Sequence, residues 1–64
     1  MKPKLTDRER DVIKLAEQGM SDEQIAEQLG ISVWTVRSHL RNSYEKLGVS
    51  NRSAAAYALR SANA

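Results

Sequence analysis

An all-α fold, a four-helix bundle containing a helix-turn-helix, is what this sequence predicts, and three observations lead there. Apolar residues recur at three-to-four spacing in four separate stretches. Each stretch opens on a residue able to cap a helix N-terminus, and three of the four close on a glycine. Nothing alternates at the two-residue period of a strand, and no repeat, Gly/Ser-rich linker or low-complexity tract interrupts the pattern. The 64 residues read as a single domain, 1–64, since chains of about 55 to 65 residues can fold alone while burying about 60% of their unfolded surface.

The first helix is expected over 7–18. Thr6-Asp7-Arg8-Glu9 has the form of a capping box, in which the Thr6 hydroxyl accepts from the Glu9 amide and the Glu9 carboxylate accepts from the Thr6 amide. Val12, Ile13, Leu15 and Ala16 carry its apolar side, and Gly19 ends it. Pro3 stands in the lead-in, where a missing amide donor costs nothing. Ser21-Asp22-Glu23-Gln24 is a second capping box and opens a helix over 22–29 that carries Ile25, Ala26 and Leu29 and stops at Gly30. Ser32 caps a third helix over 33–47, with Val36, Leu40 and Leu47 as its inner stripe and Gly48 after it. Val49 then folds back on the helix end, and Asn51 caps a fourth helix over 52–62.

Only Gly30, Ile31 and Ser32 separate the second helix from the third. A glycine there can take positive φ and reverse the chain, Ile31 can plug the inside of the corner, and Ala26 sits where the two helices would cross most closely. Such a short link forces the steep angle of a helix-turn-helix.

Charge points the same way. Residues 1–30 hold five Lys/Arg against seven Asp/Glu, a net of −2, whereas residues 31–64 hold five against Glu45 alone, a net of +4. That asymmetry suggests a polyanionic partner for the second half. There is no cysteine for a disulfide or thiolate site and only one histidine, so no metal or other cofactor is expected. No apolar run approaches the roughly 18 residues of a membrane span, and the charged N-terminus has no signal-peptide core, so a cytoplasmic location is expected. Nucleophile, base and orienter are not assembled anywhere, and no glycine-rich loop could cradle phosphate, so an enzyme is not expected.

From LTDRERDVIKLAEQGMS through DEQIAEQLGIS and TVRSHLRN to EKLGVSNRSAA, the chain resembles the LuxR-type, or GerE-like, DNA-binding domain of NarL/FixJ-class response regulators and quorum-sensing activators. The fourth-helix segment KLGVSNR separates it from sigma-factor region 4, which shares only the IAE.LGIS..TV core. The resemblance implies a bacterial transcriptional regulator whose third helix enters the major groove of double-stranded DNA and whose fourth helix dimerises. By position it places base reading on Arg37, Ser38 and Arg41 and phosphate contacts on Thr35 and Lys46. Ser43 stands where the family usually has a larger apolar residue, and Trp34 is at a variable position.

The helix wheel selects the same surface. With Val36 at zero, Arg37 lies near about 100°, Arg41 near about 140°, Trp34 near about 160° and Ser38 near about 200°. Arginine suits guanine because its planar fork can donate to O6 and N7 together, and Ser38 is small enough to permit close approach. The amides of Val33, Trp34 and Thr35 at the helix start can grip a backbone phosphate, and the indole of Trp34 can press on a thymine methyl or a sugar. His39, near about −60°, reads as a buried, hydrogen-bonded residue that fixes the helix pair. Tyr44 covers the core edge. Glu9 is a candidate partner for Arg52, although capping already accounts for it; Arg8 and Lys4 are candidate backbone contacts for which solvation is the simpler account.

On the fourth helix, Ala55, Ala58, Leu59 and Ala62 form the expected inner stripe and Ser53, Ala56, Tyr57 and Arg60 the outer face. Small residues beside an aromatic would let two such helices pack as a weak homodimer on an inverted repeat, with half-sites about one helical turn apart. RNA polymerase is a further candidate partner. The alternative to DNA binding is a helical protein-interaction module whose arginine and tryptophan face grips another regulator.

Overall fold

The computed structural model describes the backbone of residues 4–63 and the side chains of residues 4–61. Pro3 therefore lies outside the described residues, as does the side chain of Ala62. Four helices follow one another: α1 Asp7–Glu17, α2 Asp22–Leu29, α3 Val33–Leu47 and α4 Arg52–Asn63. Among the described residues there is no strand, and no helix is long and apolar enough to cross a membrane.

Both expected capping boxes are present. Thr6 accepts from the Glu9 amide at 3.1 Å while Glu9 accepts from the Thr6 amide at 2.8 Å; Ser21 and Gln24 exchange the same pair of bonds at 3.2 and 2.8 Å. Ser32 accepts from the Thr35 amide at 3.0 Å, and Asn51 from the Ala54 amide at 2.9 Å. The C-termini share one device. After α2, the Ile31 amide reaches back to the Ala26 carbonyl at 3.0 Å; after α3, Val49 reaches Tyr44 at 3.0 Å; after α1, Met20 reaches Leu15 at 3.3 Å. This is the Schellman closure, with a glycine ahead of an apolar residue each time. Met20, Ile31 and Val49 all pack against the core, so each chain reversal also contributes a side chain to it. At Gly30, φ is +68°, a conformation that an L side chain adopts only at a cost of about 1 to 2 kcal/mol.

The core draws on every helix: Val12 and Ile13 of α1, Ile25 and Ala26 of α2, Val36 and Leu40 of α3, and Ala55, Ala56 and Leu59 of α4. Helix α1 packs against the other three, α2 lies on α3, and α3 on α4. Among the described residues α2 and α4 do not pack on each other. Arg52 joins their ends instead, donating to the Met20 carbonyl at 3.1 Å and to the Asp22 carboxylate.

Four expectations need correction. Ala56, assigned to the outer face of α4, is only 5% exposed. Because α4 packs on both α1 and α3, its buried arc is wider than one stripe, and Ala56 lies beside Ala16 and Glu17 of α1. Ala58, assigned to the inner stripe, is only half-buried. His39 is likewise half-buried, and no described residue hydrogen-bonds its ring; only its carbonyl is engaged, accepting from the Ser43 hydroxyl at 2.6 Å. That bond explains how a serine fits at a fully buried position of α3: the hydroxyl is satisfied within its own helix.

The fourth correction concerns Glu9, which pairs with Lys46 rather than Arg52. Its carboxylate is buried and accepts from the Lys46 ammonium at 2.7 Å, tying the start of α1 to the end of α3. Burial by itself pushes the Glu9 pKa up. Hydrogen bonds from Lys46 and from Thr6, with the positive charge of Lys46, outweigh it and hold the carboxyl below its ordinary value of 4.5. A depressed pKa stabilises the folded state above the ordinary value, and that stabilisation is lost as pH falls through the lower folded value. Glu9→Gln should therefore lower stability near neutral pH by about 1 to 3 kcal/mol, between the figures for exposed and fully buried pairs. In thermal melts the gap from the unsubstituted protein should shrink as pH drops below 4.5; a gap undiminished at about pH 3 would contradict this account.

Candidate nucleic-acid interface

The corner between α2 and α3 sets the direction of α3. Gly30 reverses the chain, Ile31 turns its side chain toward the core, and Ser32 already caps the next helix. Ile25 and Ala26 of α2 and Val36 of α3 are all buried in the core beside this corner. With its inner stripe of Val36, Leu40 and Ser43 buried, α3 must present the opposite side to solvent.

That side carries the expected group. Trp34, Arg37, Ser38 and Arg41 line one shallow hollow on the outer face of α3. Trp34 is 76% exposed, the Arg37 side chain is 65% exposed, Arg41 is exposed and Ser38 half-buried. Among the described residues no carboxylate pairs with Arg41. Two arginine forks and an indole thus lie side by side around a small residue, a surface that is cationic and aromatic at once.

The start of α3 differs from the starts of α1 and α2. Those two carry acids in their first turns, Asp7 and Glu9 in one and Asp22 and Glu23 in the other, whereas the first turn of α3 has none. Its positive dipole end is left without an internal counter-charge. Ser32 takes the Thr35 amide, so the amides of Val33 and Trp34 remain without a partner in the helix. The Thr35 hydroxyl shares a 2.8 Å hydrogen bond with Ser32 and keeps capacity for one more contact. The Val33 side chain packs against the core, so this residue offers its backbone rather than its side chain.

Lys46 is not part of this surface. Ten positions after Val36 it falls near about −80° on the wheel, away from Arg37, and its ammonium is held by Glu9. On α4, Ser53, Tyr57 and Arg60 are exposed, Tyr57 at 69%. Arg60 lies 3.1 Å from Glu17 of α1, which orients it along the domain rather than straight outward.

Asp22 belongs to the site, although its sequence context marks it only as part of a capping box. Its carboxylate accepts from Arg37 Nε at 3.3 Å through one oxygen and from Arg52 through the other. These partners lie 15 and 30 residues away, beyond the reach of any local spacing rule. The only trace in the sequence is an acid at the first position of α2, which the helix dipole already explains.

Comparison with known proteins agrees with this architecture. Residues 3–59 match the family described as bacterial regulatory proteins, luxR family. The structure of the transcription factor GerE superposes with a TM-score of 0.87 at 44% identity, over 92% of this chain and 88% of that one. The response regulator ChrA of a heme-sensing two-component system gives a TM-score of 0.90 at 43% identity over 98% of this chain, which spans only 31% of the ChrA chain. Four capped helices, the tight α2–α3 corner and a family match over nearly the whole length lead to one conclusion: the chain belongs to the luxR family of bacterial regulatory proteins.

Proposed function

We propose that this domain binds double-stranded DNA sequence-specifically as part of a transcriptional regulator, with α3 in the major groove. The observation that carries the proposal is the shared outer face of Trp34, Arg37, Ser38 and Arg41, set on a helix whose inner side is locked into the core. An α-helix fits the major groove in width, and a helix-turn-helix inserts its second helix with the N-terminal half against the bases. Arg37 and Arg41 read bases through their forks, and Ser38 permits the approach. The first-turn amides of α3 with the Thr35 hydroxyl hold a phosphate, which sets register without reading sequence. Trp34, the second residue of α3, packs against the groove wall. GerE, a transcription factor, and ChrA, a response regulator, support the regulatory role by likeness.

Self-association on DNA is part of the same proposal. With Ala56 buried, the surface left for a partner copy is the ridge of Ser53 and Tyr57, flanked by Arg60. A two-fold contact there would place two α3 helices on an inverted repeat, in major grooves about one helical turn apart.

Selection of duplexes from a random pool provides the test ligand. Arg37→Ala and Arg41→Ala should each cost about 1 to 3 kcal/mol on the selected duplex and distinctly less on random duplex; equal losses on both would refute base reading. Affinity should fall with salt at a log-log slope of about −0.9 per phosphate neutralised, whereas a flat response would favour a protein partner. The fluorescence of Trp34, the only tryptophan, should shift on adding selected duplex; an unchanged spectrum at saturation would remove it from the groove wall. Sedimentation at saturation should give two protomers per palindromic duplex, and one protomer would reject the dimer.

A further inference from the structure

Arg37 is not a free side chain. Its Nε donates to one oxygen of Asp22 at 3.3 Å, and the other oxygen accepts from Arg52, which in turn grips the Met20 carbonyl at 3.1 Å. The exposures along this chain are unequal: the Asp22 side chain is 17% exposed, Arg37 65%. Asp22 is therefore the more buried member, held by the first residue of α4 and by its place at the start of α2, and Arg37 is the exposed arm resting on it. An ion pair this exposed at one end contributes little to stability. Its geometric effect is larger. With Nε occupied, the guanidinium plane is oriented, and its terminal Nη1/Nη2 edge is left free with all its donors, the edge that can meet guanine O6 and N7 together.

We propose that Asp22 is a positioning residue for Arg37, presenting its free edge to the major groove and raising the discrimination between target and non-target DNA; this rests on the base-reading role given to Arg37 above. Long side chains lose rotamer freedom when they bind, and a pre-oriented guanidinium has less to lose. A carboxylate beside the binding face also opposes the sequence-independent attraction of the phosphates, an effect that falls on selected and random duplex alike and leaves their ratio unchanged. The fold supplies the coupling: Asp22 lies on α2, its anchor Arg52 on α4 and its client Arg37 on α3, so three helices must be in register for the arm to point correctly.

The test is a double-substitution cycle on the full chain, with affinities for the selected duplex and for random duplex read as a ratio. Asp22→Asn should lower that ratio by about three- to tenfold, the worth of one immobilised long side chain, while binding to random duplex is unchanged or stronger. In an Arg37→Ala background the same substitution should cost nothing further in the ratio. If Asp22→Asn leaves the ratio unchanged while Arg37→Ala lowers it, the positioning role is overturned and the base-reading role stands. Equal losses with and without Arg37 also overturn it, because Asp22 would then act on the fold as a whole. If Arg37→Ala itself leaves the ratio unchanged, both proposals fall. Should Asp22→Asn not fold, Asp22→Glu keeps the charge for Arg52 but moves the oxygens by one methylene. It should lower the ratio only when Arg37 is present, and a ratio equal to that of the unsubstituted protein would count against the proposal.

Discussion

The left-handed turn at Gly30 is the constraint on which the rest of the domain depends. The Ile31 amide closes back on Ala26, and Ser32 caps α3 at once, so the backbone directs α3 relative to α2 over a link too short to flex. That direction decides which side of α3 can be buried. Val36, Leu40 and Ser43 turn inward, and Trp34, Arg37, Ser38 and Arg41 are left outward. Helix α1, packed against the other three, then holds the corner at its set angle.

Magnitudes divide the remaining interactions into those that stabilise and those that orient. Fully burying a valine or isoleucine side chain contributes about 1.5 to 3 kcal/mol, and Val12, Ile13, Ile25 and Val36 are all at or near zero exposure. Exposed ion pairs contribute about 0 to 1 kcal/mol, which covers Arg37 with Asp22 and Arg60 with Glu17. The pair of Glu9 and Lys46 falls between, since Glu9 is buried and serves two helices at once. A domain with no cysteine thus holds together by packing, capping and the interhelical pairs of Glu9 with Lys46 and of Asp22 with Arg52. Its surface charges are left to set the positions of side chains.

Local rules recovered the fold because the relevant signals are local. Thr6 with Glu9, Ser21 with Gln24, and the glycines each followed by an apolar residue act within a few positions, and all stand in the structure where the spacing put them. The outward group on α3 was legible for the same reason, since helical period and one buried stripe fix the opposite face. On α4 the single-stripe rule fails. Ala56 is buried because α4 touches both α1 and α3, and a single stripe cannot represent that. The partner of Lys46 was not legible either, because Glu9 stands 37 positions away, beyond any local rule.

The sequence by itself determined the four helices, their ends, the sharp corner and the character of the outer face of α3, since capping, glycine conformation and periodicity are properties of neighbouring residues. Only the tertiary structure decided which acid meets which base. Glu9 takes Lys46 rather than Arg52, and Asp22 takes Arg37 and Arg52 together. The physical reason is distance along the chain: these pairs join residues 15 to 37 positions apart, and their geometry exists only once α1 has packed α2, α3 and α4 around a common core.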